Sequence, residues 1–199
     1  FYEDWATQSF GSEVGPRVAV ILADIDKSGE SGEHTIPKPT EWEFDAPASI
    51  IIGEESWTEI EPDYAFIDDL SALRSEVVGR GNLERFDYFC KSFEILKLMG
   101  KIGAVRRDYH RYARRLFGRQ KAREARLELK DLWEELMTLE IEKATNSSDL
   151  GEIKNLEELT YSRGIGATDR RMRDTEGFEP GFEYQGAPRI MVNPPRTQV

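Results

Sequence analysis

The chain has 199 residues, a formal net charge of -11 and one cysteine. Its content of 39% hydrophobic and 11% aromatic residues is sufficient for one packed domain with a short extension. Because nucleic acids and anionic membranes are negative, this charge argues against broad non-specific binding, and we expect neither as a partner. No apolar run approaches the roughly 18 residues of a membrane span. The sequence begins at Phe1 without an initiator Met and ends in the irregular stretch "NPPRTQV". We therefore expect the chain to be part of a longer polypeptide.

Periodic apolar positions in the first part of the chain predict two helices, and Gly11 is a typical residue at which the first would end. The second leads into "DIDKSGESGE", where Asp24, Asp26 and Ser28 occupy the first ligand positions of a calcium loop. Thr35 stands where the bidentate Glu of such a loop belongs. We therefore favour a surface turn over a calcium site.

Residues 27–62 are rich in proline and carboxylates and predict a long irregular loop with one short strand at Ile50–Ile52. Aromatic rings can stack on sugars, and carboxylates can accept hydrogen bonds from sugar hydroxyls. Glycoside hydrolysis needs two carboxylates flanking one bond, and no distant partner for the carboxylates of "GEESW" is evident. We therefore favour a solvated loop for these carboxylates over a hydrolytic pair, and the catalytic residues stay unknown. The candidate substrate-binding residues are Trp42, Glu54, Glu55 and Trp57.

A helix predicted over 63–78 is followed by Asn82, a candidate N-cap for the next helix. The stretch "GNLERFDYFCKSFEILKLMGKIG" carries two apolar stripes, so this helix needs neighbours on two sides and should be central in a bundle. Gly100 and Gly103 indicate that another backbone passes close by. The stripes are Phe86, Phe89, Phe93, Leu96, Gly100 and Gly103 on one side, and Tyr88, Ile95, Met99, Ile102 and Tyr109 on the other.

Residues 106–126 hold nine arginines or lysines against Asp108 and Glu124. Aromatic residues interleave them, as a stacking site for single-stranded nucleic acid would require. In a chain this acidic, pairing with neighbouring carboxylates is the favoured interpretation. Gly118 predicts either a hairpin at this point or a helix that runs through it.

Cys90 lies on an apolar face with no neighbour in sequence that would lower the pKa of its thiol, which predicts an inert core residue. His34 and His110 have no partner at metal-ligand spacing. Phosphate-loop, zinc and G-x-S-x-G motifs are absent from the sequence. We therefore expect no metal and no cofactor.

These elements predict a mainly α fold, a helical bundle of about five or six helices with one long irregular loop and a short β-like C-terminal extension. Asp149 and Glu152 fit a capping box that starts its last helix. We place the helical domain, including the loop 27–62, at residues 1–178. Residues 179–199 are predicted to be a linker leading to a β-rich neighbouring domain.

Three stretches carry a family resemblance. "FYEDWATQSFG" resembles a segment that follows the catalytic barrel in several large bacterial glycoside hydrolases, and "GNLERFDYFCKSFEILKLMGKIG" resembles a helix in the C-terminal helical region of agarase-like enzymes. There is also some likeness to α-glucuronidase relatives. "YQGAPRIMVNPP" resembles the entry into the β-sandwich domain that often comes next.

The resemblance implies an accessory helical region of a polysaccharide-degrading glycoside hydrolase, with the catalytic carboxylates on a barrel absent from this chain. Its implied partners are that barrel, the β-rich domain of the same polypeptide or complex, and the polysaccharide. The helical region would pack on the barrel through its Trp5 and Phe10 face, and the enzyme would be secreted or periplasmic. The alternative is an independent helical interaction or scaffold domain without enzymatic activity, which would use its basic segment 106–126 to dock an acidic partner.

Overall fold

The chain is described by a computed structural model that covers residues 1–31, 55–161 and 166. Every regular element in this part of the chain is helical, which confirms the predicted mainly α bundle. Short 3₁₀ turns cover Glu61–Tyr64 and Arg74–Glu76, and a π-helix covers Leu156–Tyr161. The α-helices are α1 Tyr2–Phe10, α2 Gly15–Ser31, α3 Trp57–Ile60, α4 Phe66–Ala72, α5 Arg80–Ala113, α6 Arg119–Lys143 and α7 Ser147–Asn155.

The corner between α1 and α2 depends on two glycines. Gly11 ends α1 at a φ of 98°, a conformation that glycine adopts without strain, and its N–H donates to Thr7 O at 2.9 Å. At Gly15, a Cβ would overlap the backbone of Thr7, so the two helices meet there at closer range than any side chain allows. The predicted end of α1 at Gly11 is confirmed.

Helical structure extends into both ends of the range 27–62. At the near end α2 continues to Ser31, and at the far end α3 begins after Ser56. Ser56 and Glu59 form a reciprocal capping box, with Ser56 N donating to Glu59 Oε2 at 2.7 Å. This local signal is enough to start a helix in a segment whose composition favours a loop. The predicted strand Ile50–Ile52 lies outside the described residues.

Helix α5 is the central element, as its two stripes predict. Its N-terminal half closes a cluster with α1, α2 and α4 around Phe10 and Phe86, which are 2% and 0% exposed. Its C-terminal half pairs with α6 and α7 around Tyr109, Leu129 and Trp133. A third, smaller cluster joins residues of the 3₁₀ turn, α4 and the middle of α5: Tyr64, Ile67 and Leu96.

The start of α5 differs from the prediction. The helix begins at Arg80 with Gly79 as its N-cap residue, and Asn82 lies inside the first turn. Asn82 Nδ2 donates to Val78 O at 2.9 Å, and its Oδ1 accepts from Arg85 at 2.6 Å. The Asn82 side chain thus stabilises the first turn of α5 through hydrogen bonds, although it is not the N-cap. The predicted single helix over 63–78 is also replaced by short α and 3₁₀ segments.

The hairpin between α5 and α6 resolves the alternative at Gly118. The chain turns at residues 114–118, and a Cβ on Gly118 would overlap Tyr112 O and lie 2.9 Å from Tyr112 C. The turn therefore requires a glycine because a carbonyl occupies the space of the missing side chain. Its φ of -90° is ordinary, so steric crowding and not backbone handedness selects the residue.

The capping box of α7 sits three residues earlier than predicted. Asn146 is the N-cap, its Oδ1 accepts from Ser148 N and Asp149 N at 2.8 and 3.3 Å, and Asp149 returns the contact to Asn146 N at 3.1 Å. Asparagine is as good an N-cap as aspartate, so the earlier residue starts the helix. Asp149 is then the third helical residue, and its carboxylate faces back onto the α6–α7 connection.

Candidate functional site

The described residues form an open groove of about 550 Å³ between α1, the start of α5 and the α6–α7 connection. We call it the aromatic groove. It combines ring faces, one carboxylate and one guanidinium on three segments that are far apart in the sequence. Its lining residues are Trp5, Ser9, Phe10, Gly81, Glu84, Arg85, Tyr88, Phe89 and Thr145.

The aromatic wall of the groove is fixed from below by a chain of ring contacts. Trp5 meets Phe10 edge-to-face at 5.5 Å and Phe89 at 5.6 Å between ring centroids, and Phe10 in turn meets Phe86 at 5.4 Å. Such pairs add about 0.5–1.5 kcal/mol beyond the area they bury. Trp5 remains 38% exposed on this rigid base, so it presents an oriented indole to whatever fills the groove.

The polar side of the groove is held by hydrogen bonds within the protein. Arg85 Nε donates to Ser9 O at 2.9 Å, which ties the end of α1 to α5. Glu84 accepts from Arg80 Nε at 2.7 Å in an exposed pair. The guanidinium of Arg85 is thus oriented by a fixed carbonyl, whereas Glu84 is held only by a solvated partner and can exchange it for another.

Tyr88 connects the groove to a buried charged cluster. Its hydroxyl donates to Asp149 Oδ1 at 3.2 Å, and burial followed by the nearby Asp149 carboxylate raises the pKa of the phenol. Thr145 N donates to Asp149 Oδ2 at 2.7 Å, and this backbone hydrogen bond is the main reason that the pKa of Asp149 is lowered. Tyr88 is therefore a neutral donor and Asp149 an anion at neutral pH.

Behind Asp149, a lysine is enclosed by two carboxylates. Lys143 Nζ lies 2.9 Å from Glu140 Oε2 and 3.1 Å from Glu152 Oε2, and the Lys143 and Glu140 side chains are 4% and 1% exposed. Burial disfavours the charged form of Lys143, but the two carboxylates outweigh it and its pKa is raised. Burial raises the pKa of Glu140 against the effect of the lysine. The cluster joins α6 to α7 and supports the groove from beneath.

The two predicted substrate-binding residues that the structure describes, Glu55 and Trp57, do not line this groove. Trp57 is half-buried and stacks on Tyr64 at 5.9 Å with an interplanar angle of 20°. Glu55 is exposed just ahead of α3. Trp42 and Glu54 lie outside the described residues. One face of the Trp57 ring is therefore occupied by a tyrosine, and the structure does not bring Trp57 to the wall formed by Trp5 and Tyr88.

Two other features singled out in the sequence, Cys90 and the pair Asp24 and Asp26, lie within helices. Burial raises the pKa of the Cys90 thiol to about 12, which confirms the prediction of an inert core cysteine. Asp24 and Asp26 lie within α2, so neither a calcium loop nor a surface turn forms there. Residues two apart on a helix point in different directions and cannot share a cation. Across the described residues, no three His, Cys, Asp or Glu side chains are arranged to hold a metal.

The basic run is divided between the body of the bundle and the hairpin. Arg107 and Arg111 contact Asp108 at 3.1 and 3.5 Å, as the favoured interpretation predicts. The turn that follows exposes Leu116 and Phe117 at 89% and 93%. The exposed apolar pair was not anticipated from the sequence, where Phe117 counted only as one of the aromatic residues interleaved in a basic stretch.

Three comparisons with known proteins complete the description of the site. No protein-family model matches the chain, and neither a curated protein nor a solved structure matches it at a significant level. Within the part of the chain that the structure describes, no helix is both long enough and apolar enough to cross a membrane.

Proposed function

We propose that this chain is an accessory helical region of a polysaccharide-degrading glycoside hydrolase of the agarase-like kind, and that the aromatic groove is the surface on which its catalytic barrel packs. The observation that carries the proposal is the orientation of Trp5. Its indole is partly exposed although three other aromatic rings underpin it. Aromatic side chains in a rigid pocket with a polar rim are typical anchors of domain and subunit interfaces.

The sequence resemblance supports the identity of the occupant. The segment "FYEDWATQSFG" contributes both Trp5 and Phe10 to the groove, and it is the segment that resembles the one following the barrel in such enzymes. The chemistry of the groove is consistent with packing and not with turnover. Arg85 and Tyr88 already have partners inside the protein, and Tyr88 is a neutral phenol at neutral pH. A hydrolytic carboxylate pair is expected on the barrel.

The decisive experiment uses the intact polypeptide that contains this chain. We expect it to carry a barrel, and we expect Trp5→Ala to lower its thermal midpoint and its kcat/KM on agarose together, because the barrel loses an anchor. The matched control is Val20→Ala, which removes apolar surface that is 61% exposed on α2 away from the groove. An intact polypeptide without a barrel, or equal behaviour of the two variants, would refute the proposal.

A second experiment tests the predicted substrate contacts separately. Trp42→Ala and Trp57→Ala are compared with the unchanged enzyme on the same polysaccharide. If the loop contacts sugar rings, KM rises with little change in kcat, because uniform binding is lost. Unchanged kinetic constants in both variants would remove these residues from the substrate site without affecting the packing role of the groove.

A further inference from the structure

The hairpin between α5 and α6 ends in a surface whose composition is unlike that of the rest of the molecule. Leu116 and Phe117 are almost fully exposed at its apex. Residues 109–123 contain no Asp or Glu, although the chain has 38 of them. We call the exposed basic and apolar side chains of this segment the basic tip. They are Arg111, Arg114, Arg115, Leu116, Phe117, Arg119, Lys121 and Arg123.

The sequence of the basic tip contains no carboxylate, and Asp108 and Glu124 flank it. Asp108 is paired with Arg107 at 3.1 Å, and Glu124 accepts a hydrogen bond from the neutral Gln120 amide at 3.1 Å. After Glu124, the next carboxylate of α6 is Glu128, about 13.5 Å along the helix from Arg119 at 1.5 Å per residue. This exceeds the screening length of roughly 8 Å at physiological ionic strength. Among the described residues, an anionic surface at the apex would therefore meet six basic side chains of the tip with Asp108 and Glu124 only at its edges.

The shape of the tip selects between two kinds of anionic partner. The two apolar side chains are adjacent on a convex turn, and arginines lie on both sides of them. Both side chains can therefore insert together into a lipid surface while the arginines remain among the polar headgroups. Tyr112 lies just behind them, with the Arg111 guanidinium 5.1 Å and the Lys121 ammonium 5.5 Å from its ring centroid. Aromatic, leucine and arginine side chains in this arrangement are typical of membrane-interfacial segments.

From these features we infer that the basic tip binds the surface of an anionic lipid bilayer, with Leu116 and Phe117 inserted at the headgroup boundary and the arginines on lipid phosphates. This inference is independent of the proposed enzyme context. The expectation that the chain avoids membranes followed from its net charge as a whole and does not hold for a segment whose charge is segregated. Binding of this kind is peripheral and reversible, because only two side chains are buried.

The test is co-sedimentation of the 199-residue chain with vesicles. We expect binding to phosphatidylglycerol-containing vesicles, little binding to phosphatidylcholine alone, and a steep loss of binding with added salt. The double variant Leu116→Ser/Phe117→Ser should bind at least tenfold more weakly. Leu127→Ser is the matched control, because Leu127 is 63% exposed on α6 outside the tip. Arg114→Gln should weaken binding on the order of fivefold.

Insertion has a second readout that charge attraction alone does not produce. A Phe117→Trp variant should gain a blue-shifted emission with anionic vesicles and be quenched by brominated lipid. Equal binding to neutral vesicles, or wild-type binding by the double serine variant, would overturn the inference. The inference would also be overturned if the wild-type chain and the double serine variant bound soluble polyglutamate equally well. That result would indicate an acidic protein as the partner of the tip.

Discussion

At the scale of single residues, Gly100 shows how one missing side chain positions a neighbour. A Cβ at Gly100 would overlap the Tyr64 hydroxyl and lie 2.8 Å from Tyr64 Cζ, and Tyr64 is only 2% exposed. Gly100→Ala gains about 1 kcal/mol of helix propensity but overpacks a rigid ring, which costs about 1–3 kcal/mol. We expect a net destabilisation in urea unfolding, partly relieved by Tyr64→Phe.

Gly151 provides the control for this prediction. It also lies inside a helix, α7, but a Cβ there would meet no atom within 4 Å. Gly151→Ala should therefore stabilise the protein by up to about 1 kcal/mol, since only the propensity changes. If both alanine variants shift the unfolding midpoint in the same direction, the tight contact with Tyr64 has no energetic consequence.

Asp149 predicts a pH dependence of stability. Its pKa is lowered, mainly by the hydrogen bond from Thr145 N. A carboxyl whose folded pKa is depressed contributes stability above its unfolded pKa, near 3.9, and loses it as the pH falls through the folded pKa. Asp149→Asn should cost about 1–2 kcal/mol at pH 7 and flatten the loss of stability below about pH 4. The control Asp131→Asn removes the same charge from an exposed position on α6. It should neither lower stability at pH 7 nor flatten the loss of stability in acid.

At the scale of elements, the end of α6 is fastened to α7 by the enclosed lysine. Lys143→Met leaves Glu140 as a charge that is 1% exposed and unpaired, which should cost about 3–5 kcal/mol. Adding Glu140→Leu should recover most of this loss, because no isolated charge is then buried. Lys154→Met breaks an exposed pair with Glu158 and should change the unfolding free energy by less than about 1 kcal/mol. A double variant no more stable than Lys143→Met would contradict this interpretation.

The elements also show what the sequence can and cannot predict. Periodicity located α1, α5 and α6 because each buries a wide apolar stripe, and it identified α5 as central because it has two. Helix starts were less predictable. Asn82 and the Asp149–Glu152 pair have the right chemistry, yet Gly79 and Asn146 are the N-caps, because several nearby residues can cap and local geometry decides between them.

The aromatic groove was only partly predictable for a different reason. Trp5 and Phe10 were expected to form a docking face; both line the groove, but only Trp5 is exposed, because Phe10 is buried in the core at 2% exposure. Tyr88 was placed on a core stripe, and Thr145 had no distinguishing feature in the sequence. These residues meet only because the α5–α6 hairpin returns the chain to the side of α1. Such long-range closure leaves no periodic signal, and even the hairpin at Gly118 was only one of two alternatives that the sequence left open.

At the scale of the whole molecule, the continuity of α5 determines how the bundle unfolds. Its 34 residues form one wall of the cluster around Phe86 and one wall of the cluster around Leu136, two residues that are both fully buried. Neither cluster remains closed if α5 frays. We therefore expect Phe86→Ala, at about 3–5 kcal/mol, and Leu136→Ala, at about 2–5 kcal/mol, to destabilise both clusters together.

Native-state hydrogen exchange measured by mass spectrometry can follow the two clusters separately. In either variant, the slowest amides of α1 and of α6 should lose protection by the same free energy, because both report the global opening of a two-state fold. Leu127→Ala, an exposed change on α6, should leave both sets unchanged. If Phe86→Ala accelerates exchange in α1 while α6 keeps its protection, α5 does not couple the clusters, and the α5–α6 hairpin would be a separately stable unit carrying the basic tip.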